Sequence, residues 1–252
     1  MTLKYFFANP NIVPSSLKWH AYGMEHLILL FIIFVFNIFM CKKFVKLSVE
    51  QQNKLLKFFA ILIVFQEILK DILHYYAGTL NLEHLPLHLC GISIFITFWY
   101  AFKPGKVSGE YLYALSFPGA LAALLFPNWT EYPMMHFSNI NSFTIHTWLV
   151  VFVTMLLYSG RLKPDFRNLP KTSLLIGILA VPIYFINKLW DTNFMFLNGP
   201  SKGSPLVFLY DIFGGGYLIA LIVLVLSAWL LMYLPWEVIY RKKANRESEQ
   251  IA

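Results

Sequence analysis

Seven runs of mostly apolar residues, set apart by breaks too short to hold a soluble domain, leave this chain few ways to fold. They lie at residues 24–41, 55–75, 85–102, 111–126, 143–158, 173–189 and 206–234. A helix needs roughly 20 residues to cross a hydrocarbon core of about 30 Å, and lipid forces a spanning backbone to satisfy its own hydrogen bonds. The expected fold is therefore all-α, a polytopic membrane protein forming a seven-transmembrane-helix bundle. Residues 1–240 are expected to form a single transmembrane domain, followed by a short basic, polar tail at 241–252 that frays. Composition agrees: 58% of the residues are hydrophobic, 13% are charged and mean hydropathy is +0.60, far from the ordinary globular balance. The breaks carry turn chemistry, as in Lys103-Pro104-Gly105-Lys106, Phe126-Pro127-Asn128 and Asn198-Gly199-Pro200-Ser201.

Lysine and arginine orient the bundle. Fifteen of them, from Lys42 to Arg246, fall on one side, and four, Lys4, Lys18, Lys188 and Lys202, fall on the other, with Lys70 inside a span. The basic side is expected to be cytoplasmic, which puts the N-terminus outside and the C-terminus inside, in a multi-pass protein of the plasma (cytoplasmic) membrane. The formal charge of +7 is read as topogenic, so no nucleic-acid partner is expected. The first run follows a polar start and precedes Lys42-Lys43, the reverse of a cleaved signal peptide, and is expected to stay as an anchor. The two cysteines, Cys41 and Cys90, fall near opposite faces, and no disulfide framework is expected. Trp19, Tyr22, Trp129, Tyr132, Trp190 and Trp236 lie near span ends and read as interfacial anchors.

Ionisable residues inside a membrane are costly and face a bundle interior or a wet cavity. In the second run Glu67, Lys70, Asp71 and His74 fall at i, i+3, i+4 and i+7, on one helical face. They form either an ion-pair network or a functional stripe. The third run opens with His84-Leu85-Pro86-Leu87-His88-Leu89-Cys90. His84 and His88 share a face if Pro86 sits in the first helical turn, whereas Cys90 lies about 200° round from His88, on a face continued by Ser93 and Thr97. A thiol reacts as the thiolate and needs an activating group, for which His74 and His146 are the candidates. Glu25, His26, Glu131, His136, Lys188, Asp191 and Asp211 add polarity at the same outer end. Gly214-Gly215-Gly216 is expected to bend its helix or allow close packing, because neither a GxxxxGK[ST] loop nor the dinucleotide spacing is present.

The seven runs and the His84–Cys90 motif together resemble the bacterial integral membrane family typified by YwaF, which is related to eukaryotic transmembrane protein 164. That resemblance implies an acyltransferase acting on phospholipid or lysophospholipid chains through a cysteine thioester, with a membrane lipid as substrate and no cofactor or metal. Carried over by motif, the nucleophile is Cys90, the base is His146 with His74 as the other choice, and Asp71 orients the histidine. His84, His88, Glu67, Lys70, Ser93 and Asp191 would line the substrate pocket, and Asn187, Asn193 or Ser93 would be the oxyanion donors. Two other readings stay open: a zinc-dependent membrane lipid hydrolase in which His84 and His88 hold the metal with His74 or His146, and a non-enzymatic transporter or receptor-like protein with the second-run stripe along its pathway.

Overall fold

The computed structural model describes residues 5–8 and 12–249. Every regular element among them is helical, in the order α1 (Met24–Phe44), α2 (Val49–Tyr76), α3 (Leu89–Phe102), α4 (Lys106–Tyr111), α5 (Phe117–Leu125), α6 (Phe137–Tyr158), α7 (Leu169–Trp190), α8 (Leu206–Phe213) and α9 (Tyr217–Glu249). A wide π-helical turn, Leu112–Ser116, joins α4 to α5, and Gly214–Gly216 joins α8 to α9. The described residues thus contain seven helical runs. Five segments are long and apolar enough to cross a membrane: Met24–Phe44, Leu82–Phe102, Phe137–Tyr158, Phe166–Trp190 and Leu206–Lys242. The other two depart for visible reasons, since α2 carries Lys57, Glu67, Lys70 and Asp71 along its length and the α4–α5 run is divided by its π turn.

Local chemistry sets the breaks. Ser48 and Gln51 cap α2 reciprocally, the Ser48 Oγ accepting from Gln51 N–H at 3.3 Å and the Gln51 Oε1 accepting from Ser48 N–H at 3.0 Å. Pro118 has no N–H to give the Ala114 carbonyl four residues earlier. The helix widens just before it, and the indole N–H of Trp229 on α9 donates to that carbonyl at 2.8 Å. Gly214 adopts φ +48° with ψ −117°, a conformation that a side chain resists. The glycine triplet therefore bends the α8–α9 run, and close packing is not its purpose, because no atom lies near the position of a Cβ on Gly214 or Gly215. α9 itself runs on to Glu249. It therefore extends well past the end at 234 expected from the sequence, and residues 241–249 are helical where a frayed tail was expected.

Helix α6 is the centre of the bundle. Leu149, Val151, Phe152, Val153, Met155 and Leu156 are fully enclosed, and α6 packs on α1, α2, α3 and α5. α7 makes its helix packing on α4. α9 reaches the core through side chains, with Tyr113 Oη donating to the Met232 carbonyl at 2.8 Å and Trp236 Nε1 donating to Tyr113 Oη at 2.9 Å. Outward, α7 and α9 present Leu174, Ile178, Phe185, Ile219, Val223 and Leu230, a liability in water that lipid removes. The protein is membrane-embedded.

Glu110 ties α4, the α6–α7 connection and α9 together. Its carboxylate accepts from Tyr233 Oη at 2.5 Å, from the Asp165 N–H at 3.0 Å and from Asn168 Nδ2 at 3.2 Å. Glu110→Ala leaves three donors without an acceptor, at a cost of about 2 kcal/mol or more. Thermal unfolding in detergent is expected at a clearly lower temperature, with Glu110→Gln intermediate because an amide oxygen still accepts from two of the three.

Candidate functional site

The sequence reading began the third helix near residue 85. The structure begins α3 only at Leu89, with His88 as its N-cap. Before it, Leu82–His84 forms a single 3₁₀ turn and the Leu87 N–H closes a tight turn around Pro86 on the Leu85 carbonyl at 2.7 Å. His84 and His88 therefore do not share a helical face. Cys90 becomes the second residue of α3, where backbone N–H groups have no partner within the helix. His88 supplies no side-chain cap there. Gly91 explains how the turn can fold back so closely, since a Cβ on it would lie 2.8 Å from the backbone of Pro86.

Gly91→Ala is accordingly expected to push the Pro86 turn off the start of α3, at a cost of about 1–3 kcal/mol, and to move Cys90 with it. Thermal unfolding in detergent and the reaction rate of Cys90 with a maleimide are the measurements. Gly119→Ala is the control, because its Cβ would meet only the side chain of Leu89, Cδ2 at 3.0 Å and Cγ at 3.8 Å, and no backbone.

Cys90 opens onto a cavity of 1210 Å³. Most of its wall is apolar and comes from five helices, with Ile94 of α3, Ala122 of α5, Ile145 of α6, Ala180 of α7 and Leu221 of α9 among the lining residues. Its polar lining includes Glu67, Lys70, His84, His88, Cys90 and His146. Asp71, His74, Ser93 and Asp191, which the sequence grouped with them, do not line this cavity. Ser93 is fully enclosed and donates to the Leu89 carbonyl at 2.7 Å. Asp191 ends α7 in a left-handed conformation, φ 52°. His74 turns toward a second, polar pocket.

The partners of each imidazole separate their roles. His146 Nδ1 lies 2.6 Å from the Ser142 carbonyl oxygen, which can only accept, so Nδ1 carries the proton and Nε2 is the ring nitrogen with a lone pair. Trp129 lies against this ring, centroids 5.4 Å apart and planes 7° from parallel. It holds a face of the site. Trp19, another expected anchor, is buried. His88, by contrast, is occupied: its Nδ1 accepts the Met195 N–H at 3.3 Å, and its Nε2 lies 3.5 Å from Glu83 Oε2. It latches α3 to a loop in which Met195 and Phe196 both hold positive φ, 57° and 56°.

On α2, Lys70 Nζ lies 2.6 Å from Glu67 Oε1 and 3.2 Å from Asp71 Oδ1, and donates to the His84 carbonyl at 3.2 Å. The ion-pair reading of the stripe thus describes Glu67, Lys70 and Asp71 as they stand. The orienting partner of His146 is the Ser142 carbonyl, and Asp71 makes no hydrogen bond to a histidine. Asn187 is spent on its own loop, donating to the Phe194 carbonyl at 2.9 Å and accepting from the Phe194 N–H at 2.8 Å, while Asn193 donates to Gly199 at 3.0 Å. Among the described residues the N–H groups of Leu89, Cys90 and Gly91 have no backbone partner outside their helix, and they are better placed to meet negative charge. Among the described residues no three His, Cys, Asp or Glu side chains stand together as a metal site. The donor set required by the zinc reading is therefore not assembled.

A family model, that of the TMEM164 family, matches residues 21–233. The chain belongs to the TMEM164 family. The match spans α1 to most of α9 and so includes every residue that lines the polar end of the cavity. Neither curated proteins nor solved structures gave a match. Within this TMEM164-family chain the sequence missed Gly91, Trp129 and Ser142. Of these only Gly91, a glycine in the first turn after a candidate nucleophile, carried a local signal.

Proposed function

We propose that this protein is a membrane acyltransferase that passes a fatty acyl chain between lipids through a thioester on Cys90, with His146 as the base. The reading is supported by one observation above the others: Cys90 and His146 line the same apolar cavity, and Nδ1 of His146 is spent on Ser142, leaving Nε2 as the nitrogen able to take a proton. Nε2 removes the thiol proton as Sγ attacks the ester carbonyl of a membrane phospholipid. The carbonyl oxygen becomes an oxyanion, and the open N–H groups at the start of α3 are the donors available to it. The C–O bond breaks, the departing alkoxide takes the proton back from the imidazolium, and the acyl group stays on sulfur. An acceptor hydroxyl then gives its proton to Nε2 and attacks the thioester. The C–S bond breaks, and the thiolate recovers the proton.

The apolar cavity supplies room for acyl chains, which explains why the chemistry needs no soluble domain. The basic ends of the helices orient the bundle with its N-terminus outside and its C-terminus in the cytoplasm of a cell whose plasma membrane it spans. Cys90, at the start of α3, then faces the outer leaflet. The test is acyl trapping: protein reconstituted with labelled phospholipid is quenched in acid, and the Cys90 peptide is weighed by mass spectrometry. An acyl adduct removed by neutral hydroxylamine is expected. An unmodified Cys90, with membrane lipid profiles equal in the presence and absence of the protein, overturns the reading.

A further inference from the structure

A second pocket, of 400 Å³, lies at the same end of the bundle, where the end of α2 and the connection to α3 meet the start of α6. Its size is at the lower end for small-molecule sites, and its character is the opposite of the first. His74, Thr79, Asn81, His84 and His136 contribute polar groups, and none of the described residues lining it is charged. His84 lines both this pocket and the large cavity.

The hydrogen bonds show which groups are left for a ligand. His136 is used up, its Nε2 bonded to the Ala8 carbonyl at 3.1 Å and its Nδ1 accepting from Ser138 N–H at 3.1 Å. Burial also holds it below the usual histidine range, so it is a neutral wall. His74 Nδ1 bonds Thr79 Oγ1 at 2.8 Å, and His84 Nδ1 bonds Asn81 at 2.9 Å. Their rings lie 4.1 Å apart between centroids. Among the described residues neither Nε2 has a hydrogen-bond partner. Two imidazole nitrogens and the lone pair left on the Thr79 hydroxyl, which already bonds His74, with no lysine or arginine among the described residues that line the pocket, suit the hydroxyl groups of an uncharged polyol better than a phosphate. Lys70, which donates to the His84 carbonyl, is already held by Glu67 and Asp71.

We infer that this polar pocket binds the glycerol or sugar hydroxyls of a neutral lipid whose acyl chain lies in the large cavity across His84. As the acyl acceptor's seat, this rests on the transferase reading; as a binding site, it does not. The test uses a monoacylglycerol carrying a photoreactive diazirine beside its glycerol group, with the protein in phosphatidylcholine nanodiscs and labelled peptides mapped by mass spectrometry. Labelling is expected within residues 74–84 and 132–137, and a lysophosphatidic acid with the same diazirine should label them far less. Thr79→Val and His74→Phe should each reduce it about tenfold, the loss of one hydrogen bond. Free glycerol competing at the same concentration as unlabelled monoacylglycerol would assign the pocket to a soluble polyol, whereas weaker competition assigns it to a lipid. Labelling confined to other peptides, or equal labelling by the anionic probe, overturns the inference. Because labelling needs no acyl transfer, pocket labelling in a protein that never acylates Cys90 would retire the transferase reading and leave this one standing.

Discussion

Cys90→Ser is expected to bring acyl transfer down to the level of membranes lacking the protein, a loss on the order of 10³-fold or more. A hydroxyl is a far poorer nucleophile than a thiol at neutral pH, and a histidine placed to activate sulfur does not overcome the difference. The substitution is close to isosteric, and Cys90 sits at the start of α3 with its side chain toward the cavity. Thermal unfolding in detergent should therefore shift by little, which separates lost chemistry from lost fold. The readout is transfer of a labelled acyl chain between lipids in proteoliposomes. Transfer within tenfold of the unaltered protein would mean that Cys90 is not the acyl carrier.

His146→Ala is expected to lower the maximal rate by about 10²–10⁴-fold, the usual worth of a positioned acid–base group, with little change in apparent affinity for lipid. The comparison that gives this meaning is His88→Ala. Both histidines line the cavity, but the ring nitrogens of His88 face Met195 N–H and Glu83. Its loss should loosen the Met195–Phe196 loop and change the rate by less than about tenfold, since a latch contributes no proton transfer. A larger effect at His88 than at His146 would reassign the base.

Neither prediction could have been ranked from spacing. Six of the seven histidines are candidates by position, and a hydrogen-bond partner distinguishes them, not a position. His26 is a plain case: fully buried, with Nε2 on the Leu124 carbonyl at 2.9 Å and Nδ1 accepting from the Tyr22 N–H at 3.0 Å, it closes the packing of α1 on α5. Nothing in the sequence singled out Glu110, because its three partners come from α9 and from the α6–α7 connection, far along the chain.

What the sequence determined alone was the solvent and the element type. Apolar runs of bilayer length must be helices in lipid because no other open structure satisfies its own backbone there, so the seven runs and the helical class were legible, as was the Glu67–Lys70 pair, which needs only a spacing of three on one helix. What the tertiary structure decided was everything that depends on two helices meeting: that Cys90 and His146 share a cavity while His74 looks into another, that Trp129 lies against an imidazole, and that α3 starts at Leu89 behind a turn packed on Gly91. Helical periodicity is a property of one element, whereas a proton acceptor is defined by the atoms around it, and those atoms are brought in from other helices by packing.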